Sequence, residues 1–296
     1  MYDLAWVAVT QSETLPWRRR AARDTGRFLS PAVRNLAREL GVDPASLLGR
    51  GTGGRVTRAD VLASAGGAPG GVRDEVVPFD NVRRRTAIGL VASKRIIPHA
   101  LEVVAADYGA IETARRAGGL TALPFVARAV IDALREFPRM NATTTDDGLS
   151  VVLHRVVHLG IAVDLDFQGL VVPVVHDADG LRLRALGSAI RDVASRARAR
   201  KLVPDDLAGG TFTITNPGAS GTWISFPVIN RPQVGILATD GVSKQVVAGA
   251  DGRIGIAPIG HLCCAFDHRA LDGAYAGAFL RRVREIVETR DWVSEL

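Results

Sequence analysis

The chain has 296 residues, 47% of them hydrophobic, and a formal net charge of +6. That length suits one large domain with a small one, and each apolar run breaks within about a dozen residues, short of the ~20 a membrane-spanning helix needs. The two cysteines, Cys263 and Cys264, are adjacent, a spacing that strains a disulfide and fits no metal motif, so they read as buried thiols in a reducing compartment.

Met1 to Gln11 has no basic stretch ahead of its short apolar segment. It does not read as a secretory signal, and a cytoplasmic location follows. Residues 1–28 show no periodicity and carry the Arg18-Arg19-Arg20 cluster, which suits a flexible leader. Order is expected from Ser30-Pro31, a cap followed by a proline at the first helical position; Val33, Leu36, Ala37 and Leu40 then share one face until Gly41. The glycine-rich loop Gly49 to Arg55 leads to a second helix with Thr57 as its cap and Asp60 at the third position. Residues 29–64 thus form a small helical domain, and residues 65–75, rich in Ala and Gly, a linker. Arg34, Arg38, Arg50, Arg55 and Arg58 concentrate positive charge there. Such charge fits an acidic protein surface or nucleic acid, but no aromatic-interleaved basic patch or zinc module supports nucleic acid.

The large domain, residues 76–296, mixes element types. Helices are expected over 123–137, 186–200 and 275–289, and strands over 151–157, 160–163, 170–174, 211–215, 234–238 and 261–266. Without a regular β-α-β repeat, this argues for an α/β domain with a mixed sheet.

Two segments carry chemistry. The apolar strand ending at Phe266 delivers Asp267-His268-Arg269-Ala270-Leu271-Asp272-Gly273. A histidine near neutral pKa can deprotonate a thiol and so prepare it to attack a thioester; Asp272 can orient the imidazole, hold the bend, or simply cap the following helix. The second segment, Gly209 to Gly218, alternates Thr211, Thr213 and Thr215 along one strand face before Asn216-Pro217-Gly218 turns the chain. A hydroxyl at Thr215 can donate to the oxyanion of thioester attack, or serve only as a strand residue. His99, His154, His158, His176 and His261 form no ligand set and read as structural, with no metal site expected.

These residues resemble a known family. Asp267 to Gly273 matches the D-H-R-x-x-D-G signature, and Gly210 to Gly218 the G-T-F-T-I-[ST]-N-x-G segment, of the 2-oxo acid dehydrogenase acyltransferases. Further similarity runs through Ser93-Lys94-Arg95, Pro98-His99 and Ile229 to Val234. Ser30 to Arg34 and Gly51 to Thr57 resemble the family's peripheral subunit-binding domain.

The resemblance implies a chloramphenicol acetyltransferase-like mixed-sheet catalytic domain behind a small subunit-binding domain, and acyl transfer between dihydrolipoamide and coenzyme A. It implies His268 as general base, Thr215 as oxyanion donor and Asp272 in support, within a homotrimer or larger assembly whose sites lie between subunits. Decarboxylase and dihydrolipoamide dehydrogenase subunits would dock on residues 29–64, with Arg34, Arg38, Arg55 and Arg58 as candidate contacts. Many members have serine at the position of Thr215. Members usually carry a lipoyl domain, and residues 1–28 contain no lysine, so the lipoyl group is expected from another chain or from a domain ahead of this sequence. The alternatives are a non-catalytic or lipoyl-less assembly core and a small-molecule acyltransferase of the same fold.

Overall fold

The computed structural model describes residues 29–65, 75–249 and 252–296, and the chain divides into two compact units between Val77 and Pro78. The expected leader with its arginine cluster, and nearly all of the expected linker, lie outside the described residues.

In the smaller unit, α1 (Pro31–Glu39) starts where Ser30 Oγ accepts the Val33 N–H at 3.3 Å. The loop that follows contains Gly53 and Gly54 at φ +72° and +79°, a region that admits glycine at little cost. α2 (Arg58–Ala65) opens with the expected box. Asp60 accepts from the Thr57 N–H and hydroxyl, both at 2.8 Å, and from the Arg50 N–H at 3.1 Å. These donors, the Thr57 N–H foremost, hold its carboxyl below the usual range. Val33, Ala37, Val56 and Val61 form the core, while Arg34, Arg38, Arg55 and Arg58 are exposed.

The larger unit contains α3 (Asn81–Ile96), β1 (His99–Asp107), α4 (Gly109–Gly118), α5 (Leu123–Glu136), β2 (Ala142–Thr144), β3 (Val151–Leu153), β4 (Leu159–Ile161), β5 (Val163–Asp164), β6 (Leu170–Val171), β7 (Val174–Val175), α6 (Leu183–Arg198), β8 (Phe212–Thr215), β9 (Gly235–Thr239), β10 (Ser243–Ala248), β11 (Ile254–Asp267) and α7 (Gly273–Thr289). The main sheet runs β1-β11-β9-β8-β4-β7, with β10 also on β11. β8 is parallel to both β9 and β4, and the other pairs are antiparallel. The sheet is therefore mixed, as expected. α7 packs along β1 and against α5, which in turn meets α6. Phe125 and Trp292 meet edge-on at 5.4 Å, and Phe212 and Phe279 at 6.0 Å, inside this layer.

Several boundaries differ from expectation for local reasons. The strand expected over 151–157 ends at Leu153 because Asn141 Nδ2 donates to the carbonyls of His154 and Val156, drawing the backbone out of ladder pairing. The helix expected from 186 begins at Leu183, and the strand expected from 261 begins at Ile254. α3, β1, α4 and β10 were not anticipated. α3 buries only Ser93, so it has no apolar stripe of helical period to betray it.

Candidate active site

β11 is the longest strand, and its last residues are sealed on both faces from Leu262 through Asp267. Its end is held by an ion pair within the motif. Asp267, fully buried, takes two hydrogen bonds from Arg269 Nε and a third from Nη2 at 2.6 Å, and its Oδ1 also accepts the Arg269 N–H. Ala270 and Leu271 donate their N–H groups to Asp267 O, closing a turn that puts His268 at the surface. His268 N donates to Pro98 O at 3.1 Å, and its ring lies 5.5 Å from that of Phe266. The segment from His268 to Asp272 is a turn rather than a helix. Asp272 occupies the cap position of α7 in extended backbone, exposed, with no side-chain hydrogen bond to the helix. Its carboxylate is therefore not consumed as a cap.

Thr215 ends β8, as expected, and is half-buried there. The turn after it closes tightly: a Cβ on Gly218 would meet the Asp240 backbone at 2.7 Å, so the sequence needs glycine there. Thr215 opens onto a cavity of about 460 Å³ whose lining includes Leu90, Leu170, Val172 and Ile236, with Arg85 and Arg231 also on it. The apolar lining suits an alkyl chain, and the two guanidinium groups suit an anionic portion of the same molecule.

The pairing register sets the two candidate groups apart. Thr215 pairs with Ala238, and Ala238 with Cys263. β11 runs four residues further to Asp267, with His268 in the turn beyond it, so ~13 Å along the strands and ~10 Å across two strand spacings separate the Thr215 backbone from the end of β11. Within one chain His268 and Asp272 stand at one end of the sheet, and Thr215 stands at the other.

Three more residues shape the cavity. Ser93, His99 and Asp240 hold its wall, Ser225 to Arg231, by side-chain hydrogen bonds; Ser93 and His99 fell in similarity segments, His99 reading as structural, and Asp240 gave no signal in the sequence. Asp240, 3% exposed, accepts from Thr222 Oγ1, Ser225 Oγ and Cys263 Sγ. Both cysteines are buried and unpaired. Burial pushes the Cys263 thiol up to about 12 and raises that of Cys264 further. Among the described residues no group of three His, Cys, Asp or Glu side chains is placed to hold a metal, and no helix is long and apolar enough to cross a membrane.

Residues 72–293 match the family described as 2-oxoacid dehydrogenases acyltransferase (catalytic domain); the larger unit is thus an acyltransferase-type core. Residues 27–62 match the e3 binding domain. With three quarters of its length under the catalytic-domain match, the chain belongs to the 2-oxoacid dehydrogenase acyltransferase family. It is 34% identical, over 93% of its length, to the dihydrolipoyllysine-residue acetyltransferase component of the pyruvate dehydrogenase complex of Corynebacterium glutamicum, and spans 46% of that protein. It is 36% identical, over 88% of its length, to the lipoamide acyltransferase component of the branched-chain alpha-keto acid dehydrogenase complex of Pseudomonas putida, covering 66% of it. The chain thus spans about half to two thirds of the curated relatives it matches. Among solved structures, a dihydrolipoamide acetyltransferase of Azotobacter vinelandii superposes with a TM-score of 0.69 at 30% identity, over 73% of this chain and 91% of that one.

Proposed function

We propose that this chain is the acyltransferase component of a 2-oxo acid dehydrogenase complex, moving an acyl group between a dihydrolipoamide thiol and coenzyme A. The observation that carries the reading is the turn at the end of β11, where the Asp267–Arg269 pair fixes the backbone and presents His268 outward. The A. vinelandii structure comes from work on the role of a serine, a histidine and an asparagine in that enzyme's catalytic mechanism. Its asparagine follows its histidine by four positions, as Asp272 follows His268 here. Thr215 stands 53 residues before His268, against 52 for the serine of that protein.

His268 takes the proton of the incoming thiol, and the thiolate attacks the thioester carbonyl. Thr215 donates its hydroxyl to the oxyanion. The imidazolium returns the proton to the departing thiolate, which completes the exchange. Asp272 supports the charged imidazole. Because His268 and Thr215 occupy opposite ends of one sheet, the site is completed by a second copy of the chain, in a trimer or larger assembly. Val82, Ile88, Leu90 and Val91 on α3, Trp223 and Ile224 just before the cavity wall, and Phe226 within it are exposed in the single chain; apolar area of this kind favours burial against another copy. Residues 29–64 serve as the dock for the decarboxylase and dihydrolipoamide dehydrogenase partners, and the lipoyl group arrives on another chain or another domain.

The test is acyl transfer to free dihydrolipoamide from acetyl-, succinyl- and branched-chain acyl-coenzyme A. One donor is expected to be preferred, and His268→Ala is expected to lower its turnover by about three orders of magnitude without loss of assembly. Equal turnover in wild type and His268→Ala would sink the catalytic assignment; transfer to small alcohols or amines in preference to the dithiol would favour the small-molecule alternative.

A further inference from the structure

The wall of the Thr215 cavity belongs to no helix or strand. Ser225 to Arg231 forms neither, so its backbone groups have no ladder to join and must find partners elsewhere. At one end Asp240 accepts from the Ser225 N–H at 3.2 Å and from its hydroxyl at 2.6 Å. Toward the other end both backbone groups of Ile229 are taken by side chains far off in sequence. Ser93, 1% exposed, donates its hydroxyl to Ile229 O at 2.7 Å, and His99 Nε2 lies 3.0 Å from Ile229 N.

The two contacts of His99 fix its state. Nε2 faces an N–H, which can only donate, and Nδ1 lies 2.9 Å from Ile97 O, which can only accept. The ring is therefore neutral with its hydrogen on Nδ1. Burial, the largest influence, lowers its pKa in keeping with that state. The same stretch of chain serves the other candidate group: Pro98 O receives the His268 N–H, and His99 pairs with Asp267 across the β1–β11 register.

The geometry points to His99 as a positioning residue for the transfer reaction: a neutral imidazole that holds Ile229, and through it the cavity wall against which the thiol arm of coenzyme A packs. This rests on the proposed function, with coenzyme A seated in that cavity. His99 touches no reacting atom. Its effect passes through the Ile229 N–H, while Ser93 secures the carbonyl of the same residue.

The experiment compares the full chain with His99→Ala, His99→Gln and Ser93→Ala, reading hydrogen exchange of peptides over 225–231 together with KM for coenzyme A and kcat. Glutamine keeps an acceptor at the distal position of the side chain. His99→Ala is expected to speed exchange over the wall and to raise KM about tenfold, the worth of one such hydrogen bond, with a smaller fall in kcat. His99→Gln is expected to restore both readouts in part, and Ser93→Ala to reproduce the alanine pattern even if His99→Ala folds poorly. Wild-type exchange in both alanine variants, faster exchange with KM unmoved, or no rescue by glutamine would each overturn the assignment. Absence of transfer by the wild type would instead strike the functional reading, and the exchange comparison would still decide whether His99 holds the wall.

Discussion

The two ends of the main sheet are built by different means. At the His268 end a long strand, buried over its last six residues, stops against an internal ion pair, and apart from the bond to Pro98 O what places the imidazole lies within Phe266 to Gly273. At the Thr215 end a four-residue strand opens onto a cavity whose wall is irregular chain, fastened by Ser93, His99 and Asp240 from distant parts of the sequence. An end held mostly by its own segment tolerates change elsewhere better than an end assembled from afar. Because one chain keeps the two ends apart, the proposed function has each copy contribute one half of a site that a second copy completes.

Mixing tests this division most severely. His268→Ala and Thr215→Val are each expected to lose a hundredfold or more in turnover. Co-assembled in equal amounts, they are expected to recover about a quarter of the wild-type rate, since random pairing joins an intact Thr215 end to an intact His268 end in that share of sites. Failure of the mixture to exceed the sum of the two variants would place both groups in one chain.

A smaller effect distinguishes how the ends are held. Arg269→Ala strands a buried carboxylate at Asp267 and is expected to cost about 2–3 kcal/mol in a denaturant titration, somewhat below the usual loss for a broken buried pair because the arginine is about a third exposed. Thr215→Val, at an end without such a pair, is expected to shift stability by less than about 1 kcal/mol.

The smallest expected effect is of pH on the cavity wall. The pKa of His99 is lowered, by burial first and by Lys94 from α3, while the Ile97 carbonyl and Asp267 from β11 oppose the shift. A group whose folded pKa lies below its unfolded one stabilises the fold above the unfolded value, and that support fades as pH falls through the folded value. Exchange over 225–231 is therefore expected to quicken below the ordinary imidazole range in wild type and to show a flatter acid response in His99→Gln. Parallel profiles would remove His99 as the cause.

The contrast between the ends also explains what the sequence could reveal. The capping bonds of Ser30, Thr57 and Asp60 reach only three positions, and the apolar strand before His268 is continuous, so local chemistry made both legible. β1 carries half-buried residues along most of its length rather than an alternation, and α3 buries a single serine; neither leaves a periodic trace. The bonds of Ser93 and His99 to Ile229 span 136 and 130 residues. Their partners are chosen by the folded sheet, which spacing along the chain does not encode.

The sealed cysteines have a consequence for a protein whose proposed substrates are themselves thiols and thioesters. Sulfur that stays protonated and out of reach of solvent neither competes for the acyl group nor joins dihydrolipoamide in a mixed disulfide. The two sulfhydryls of this chain are thereby bystanders, and the only sulfur free to react is the sulfur that visiting molecules bring.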